Sequence, residues 1–239
     1  NTLAVEALEI KHEGQHVIIN GVASNNPNDS ILLDINDIDV SYILDFINFH
    51  SVSFSGNAVG HAVCRTIFND PEASAKLTVS DFRFEQGQMG TLTLNAAWNN
   101  EDQQIEIQAL CNDTSPNDVR LTQIEGYINP ELNYINLQIN ADNTRCDFIG
   151  NYCKSFLSNT HLNASGKVRL WGDLRFINLT GIISASGDFH VNALGTDYTL
   201  TRQTVEFIPN DILFPSDTIR DKYGNHAIVT GALHHQYLA

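Results

Sequence analysis

Thr91-Leu92-Thr93-Leu94-Asn95-Ala96-Ala97-Trp98, then the polar run Asn99–Gln103, then Gln104-Ile105-Glu106-Ile107-Gln108-Ala109-Leu110-Cys111, is the stretch that decides the fold class of this chain. Apolar side chains return at every second position, the period of a strand whose side chains point alternately to opposite faces. Leu92, Leu94, Ala96 and Trp98 fall on one face, with Thr91, Thr93 and Asn95 on the other. After the polar run the pattern resumes with Ile105, Ile107, Ala109 and Cys111, which reads as a hairpin. Outward from it the same alternation recurs in Ile135, Leu137, Ile139 and Ala141, in Val168 with Leu170, and in the long run Leu179, Gly181, Ile183, Ala185, Gly187, Phe189 and Val191. The chain is therefore expected to be mainly β, with antiparallel strands that each carry one polar and one half-buried face.

The pattern is also repeated. Gly21, Gly126 and Gly231 are spaced 105 residues apart twice over, in Ile-Asn-Gly-Val, Ile-Glu-Gly-Tyr and Val-Thr-Gly-Ala. Gly14–Gly21 lines up position by position with Gly224–Gly231. At an offset of 110, Tyr42, Phe46, Ser55 and Gly56 correspond to Tyr152, Phe156, Ser165 and Gly166, and Val79–Phe84 is echoed by Ser186–Val191 at 107. A period this long implies several strands per unit and not a short-repeat solenoid. The expected division is 1–34 as the end of a preceding unit, 35–140 as one unit and 141–239 as the next. Gly21, Gly56, Gly126, Gly166, Gly181 and Gly231 lie inside strand patterns, where glycine marks a bulge, a bend or the close approach of another group. Recurrent bends imply a curved sheet, while ordinary bulges in a closed sandwich account for the glycines equally well.

Two segments break the alternation. Phe148, Ile149, Tyr152, Cys153, Phe156 and Leu157 follow the rhythm of an amphipathic helix, and Ile43, Leu44 and Ile47 sketch a shorter one with Ser41 as its cap. Such helices would plug or cover an open end of the sheet. Cys146 and Cys153 in a helix lie about 10 Å apart, beyond disulfide reach, and no Cys-x-x-Cys occurs, so the expectation is buried free thiols.

Composition narrows the function. Against 13 basic side chains stand 28 acidic ones, a net charge of −15 that repels phosphate backbones and argues against nucleic acid. No apolar stretch is long enough to span a bilayer as a helix and no signal peptide is present, and the chain reads as a fragment whose anchor lies elsewhere. Nucleophile elbow, zinc-protease, phosphate-loop and dinucleotide motifs are missing, and Asp34, Asp37 and Asp39 lack the glycine of a calcium loop. His234 and His235 point to opposite faces of a strand and cannot share a metal. No catalytic residue, metal or cofactor is expected.

The last third carries a resemblance. Gly166-Lys167-Val168-Arg169-Leu170-Trp171-Gly172, Leu179-Thr180-Gly181, Ala193–Leu200, Val205–Phe214, Ile219–Asn225 and Val229–His235 resemble the TamB family, especially its Bacteroidetes members. The likeness is clearest from Leu162 onward. It implies an elongated antiparallel sheet curled into a taco-like groove, anchored in the inner membrane and crossing the periplasm of a Gram-negative cell. The implied roles are lipid transport to the outer membrane and support of outer-membrane protein assembly and secretion, with phospholipid acyl chains and an assembly barrel of the TamA/BamA type as partners. On this reading Leu92, Leu94, Trp98, Ile105, Ile107, Ile135, Leu137, Ile139, Val168, Leu170, Ile183, Phe189 and Val191 line the groove. A secreted or surface β-sandwich binding module, of adhesin or carbohydrate-binding type, is the alternative. It would present exposed aromatics, whereas Trp98 and Trp171 both fall in apolar strand patterns.

Overall fold

Each alternating run of the sequence is a strand in the computed structural model, which describes residues 2–42 and 52–234. The order is β1 (Leu3–His12), β2 (Gln15–Ala23), β3 (Ser30–Asp39), β4 (Phe54–Arg65), β5 (Glu72–Phe84), β6 (Gly87–Asn99) and β7 (Gln104–Asn112). It continues with β8 (Leu121–Asn129), β9 (Tyr134–Arg145), β10 (Leu157–Asp173), β11 (Phe176–Val191), β12 (Thr196–Ile208), β13 (Asp211–Asp221) and β14 (His226–His234). The fourteen strands of the described residues form one sheet, and each pairs antiparallel with its neighbours in sequence. The sheet is open, with β1 and β14 as its two edges. At about 4.8 Å per strand its contour across the strands is about 60 Å, so it is elongated. A two-sheet sandwich is not the arrangement, since the described strands all belong to this single sheet.

The repeat now has a structural unit. Gly21, Gly126 and Gly231 lie in β2, β8 and β14, Gly56 and Gly166 in β4 and β10, and Val79 and Ser186 in β5 and β11. Each offset is six strands. The expected unit boundaries at 34/35 and 140/141 fall inside β3 and β9, which are themselves six strands apart, and the sheet passes through both without a break. Gly126 shows why the position demands glycine: its φ is +148°, and a Cβ there would overlap the carbonyl oxygen of Asn136 on the next strand. Gly21, at φ +124°, faces the Ser30 carbonyl in the same way.

In its middle the sheet folds over. Registered pairs carry Val79 on β5 through Leu92, Cys111 and Thr122 to Ala141 on β9. Phe84, which pairs across to Phe54 on β4, lies toward one end of the strands from that line, and Ile135 toward the other. On a flat sheet the two ends stand about 36 Å apart along the strand direction. Yet Val52, just before Phe54, shares one buried cluster with Ile135, Leu174 and Ile177, and Phe54, Phe84, Ile128, Leu137 and Leu170 pack against it. Backbones of β6 and β9 approach within 8 Å although β7 and β8 lie between them, where a flat sheet would hold them about 14 Å apart. The fold-over stops short of the edges, and β14 is exposed at every described position.

Helical content is smaller than the sequence rhythm implies. The expected helix from Phe148 to Leu157 is one turn, Ile149–Tyr152, because Leu157 already pairs with Val191 as the first residue of β10. Pairing its backbone along a seventeen-residue strand outcompetes another helical turn. The shorter helix begins at 40–42, so Ser41 stands inside it and the Asp39 carboxylate caps it, accepting the Ser41 N–H at 2.9 Å. Ile43, Leu44 and Ile47 lie outside the described residues.

Candidate functional site

The apolar face is where the sequence places the candidate residues, and alternation sets which side chains reach it. On β6, Leu92, Leu94, Ala96 and Trp98 are buried or half-buried while Thr91, Thr93 and Asn95 are exposed. Leu92, Ile135 and Ile183 are buried; Leu94, Trp98, Ile105, Ile107, Leu137, Ile139, Val168, Leu170, Phe189 and Val191 are half-buried. These residues do not form one uniform lining. Leu92 belongs to a cluster with Val40, Ala58, Val79, Phe82 and Cys111, formed largely by β4–β7. Ile183, Val168 and Phe189 join a second with Cys146, Leu162, Ala164, Ala185 and Val205. Ile135, Leu137 and Leu170 belong to the third, where the fold-over closes.

The β9–β10 connection holds that closure. Phe148 packs edge-on against Phe84 with ring centroids 4.9 Å apart, and Phe84 in turn meets Phe54 at 5.4 Å. The Asn151 amide donates to the Glu85 carbonyl at 2.6 Å, tying the helical turn to the β5–β6 hairpin. Burial, then the charge of Glu85 and the hydrogen bond to it, push the Tyr152 hydroxyl up to about 12. A side chain at Gly87 would crowd Phe148, so the hairpin presents bare backbone where the turn docks.

One rim of the fold is polar. Arg145 Nη2 lies 2.9 Å from Asp113 Oδ2, and Arg120 pairs with Asp113 and Asp118. Beside them the hydroxyls of Thr122 and Thr144 meet at 2.6 Å, both side chains buried. Two cations and two carboxylates leave this cluster neutral, so it organises the β7–β8 connection without favouring an ionic ligand. Burial pushes the Cys111 thiol up to about 12, and burial with the nearby Asp147 charge does the same for Cys146. Such thiols are poor nucleophiles and ligands at neutral pH, and all four cysteines are free. At the β13 bulge, burial raises the Asp217 carboxyl above its usual range, with the Thr204 backbone bond opposing.

Two aspects of the site differ from the sequence reading. Trp171 stands on the polar face with Lys167 and Arg169, not in an apolar pattern: its indole N–H donates to Thr180 Oγ1 at 3.2 Å and the Arg169 guanidinium lies 5.6 Å from its ring centre. Parity along β10 requires this, because Val168 and Leu170 face the other way. Sequence reasoning also missed Val52, Phe54, Phe84 and Ile177 as lining residues. Ile177 shares the parity of Leu179 and Ile183, so extending that run by one repeat finds it. Nothing in the pattern announces Val52, whose burial comes from strands more than eighty residues away. No family model matches this chain, and no match was found among curated proteins or solved structures.

Proposed function

We propose that this chain is a periplasmic segment of a TamB-like envelope protein whose apolar face shields lipid acyl chains on their way to the outer membrane. The observation that carries the reading is the state of β6–β9, where the half-buried Leu94, Trp98, Ile105, Ile107 and Ile139 share one apolar face that, among the described residues, no second sheet covers. Covering such a face with an acyl chain returns about 25 cal/mol per Å² of apolar surface removed from water. The polar opposite face, with the net charge of −15 over the chain, keeps the sheet soluble. Transfer along the face requires no catalytic group, and the inner-membrane anchor and the contact with an assembly barrel belong to other parts of the protein.

A photo-crosslinking residue at Leu94 or Leu137 tests this in the native envelope. Lipid adducts are expected there and not from Thr93 or Gln138 on the polar face; adducts at neither apolar position overturn the proposal. A surface binding module is the second reading. Trp171 beneath Arg169 on the polar face is the observation that favours it, and Trp171→Ala would then abolish glycan binding in an array while leaving the apolar face unchanged.

A further inference from the structure

Trp171 is not alone on the polar face: each of four consecutive strands carries one aromatic side chain there. Strand pairing places Tyr127 on β8, Asn136 on β9, Trp171 on β10 and Asn178 on β11 in one row. The next row holds Asn129, Tyr134, Asp173 and Phe176. Tyr127, Tyr134, Trp171 and Phe176 therefore alternate between two rows in a zigzag across the strands. Their chain neighbours Ile128, Ile135, Leu170 and Ile177 belong to the buried cluster of the fold-over, so by parity the four rings point away from it. Tyr127, Tyr134 and Trp171 are half-buried and Phe176 is 49% exposed.

Cross-strand packing accounts for part of this arrangement. Tyr127 and Tyr134 make a diagonal pair with ring centroids 6.5 Å apart. Trp171 is held by polar groups instead: Thr180 accepts its indole N–H, and the Arg169 guanidinium beside the ring donates from Nε to Asn136 Oδ1 at 2.7 Å. Ring and guanidinium are thus oriented before any ligand arrives. Gln138, exposed in the row of Arg169, and Asn178, half-buried in the row of Trp171, add planar amides. The bordering charges are of both signs, with Glu106 and Glu125 beside Tyr127 and Arg169 and Arg175 at the other end, where Arg175 pairs with Asp173. In a chain of net charge −15 this patch favours no ion.

Rings that share a row, Tyr127 with Trp171 and Tyr134 with Phe176, stand two strands apart, about 10 Å, which is close to the length of one disaccharide in an extended chain. The geometry points to this ladder as a platform for a neutral, extended, β-linked glycan. The C–H faces of the sugars lie on the aromatic rings, and their hydroxyls reach the amides and Arg169. A β-linked chain of pyranoses runs straight and turns the same face to the surface at every second sugar, matching rings at every second strand. An α-linked chain coils away from such a row. A proline-rich peptide, another ligand of exposed aromatics, docks in a groove between rings, and the sheet face offers a row instead. The inference rests on the second reading above, that the polar face binds glycan, and is independent of lipid binding.

Tryptophan fluorescence tests it on the full chain carrying Trp98→Phe, which leaves Trp171 as the sole indole; calorimetry on the unaltered chain should give the same affinities. Chitohexaose and cellohexaose are expected to shift the emission saturably, and α-linked maltohexaose to bind at least about tenfold more weakly. Tyr127→Ala and Tyr134→Ala should each weaken β-glycan binding by about fivefold or more, while Tyr127→Phe and Tyr134→Phe keep the rings and stay within about twofold. A merely structural pair would lower the urea midpoint and leave the affinity of the folded protein unchanged. Alanine variants that bind as the parent does, or maltohexaose that binds equally, overturn the ladder and leave the glycan reading standing. So does failure of both β-linked hexaoses when other glycans are retained on the array. If no glycan binds at all, the underlying reading falls and the ladder with it.

Discussion

Gly126 and Gly231 occupy the same place in the repeat, with φ of +148° and +152°, yet a methyl group on the first collides with the Asn136 carbonyl and on the second meets nothing within 4 Å among the described residues. The same contrast holds for the regions around them. In the folded-over middle Ile135 and Ile177 are 2% and 0% exposed, whereas Ile10 on β1 and Ile228 on β14 are 58% and 66% exposed. Strands of one sheet thus contribute unequally: the stability of the sheet resides where opposite strand ends meet, and the edges hold exposed apolar surface.

The largest effect should separate these regions directly. Ile177→Ala removes side-chain volume where the fold-over closes and is expected to cost about 3 kcal/mol, read from the urea unfolding midpoint. Ile10→Ala and Ile228→Ala should each stay within about 0.5 kcal/mol. Equal costs at all three would break the comparison. Gly126→Ala combines an unfavourable φ with a backbone collision and should cost about 2–3 kcal/mol, while Gly231→Ala bears only the φ term of about 1 kcal/mol. If the two lose the same amount, the neighbouring strand is irrelevant to the glycine.

A smaller loss, about 1–2 kcal/mol, is expected from Thr122→Val, which leaves the buried Thr144 hydroxyl without its 2.6 Å partner. The smallest effect near neutrality concerns the thiols. Cys111 and Cys146 have folded pKa values pushed up to about 12 from 9.0, so their contribution to stability is complete below pH 9 and declines as pH rises from 9 towards 12. Denaturation midpoints between pH 8 and pH 11 should fall, and a Cys111→Ala/Cys146→Ala protein should lose part of that slope. The half-exposed Cys64 should react with maleimide before either of them.

Much of this fold is legible locally. Leu92–Trp98 and Ile105–Cys111 declare a hairpin because strand side chains alternate regardless of what lies beyond. The helical reading of Phe148–Leu157 overshot because paired apolar residues four apart serve equally for a turn followed by a strand that buries one face. Trp171 was misplaced by its apolar surroundings when parity alone assigns it to the polar face.

What the sequence determined by itself is the mainly β class, the polar and apolar faces, and a repeat that proved to be six strands long, all consequences of spacing along a single chain. The tertiary structure alone decided that Val52 meets Ile135 and Ile177 and that Phe148 closes against Phe84. Those outcomes depend on twist and bend accumulated over many strands, so no local pattern carries them.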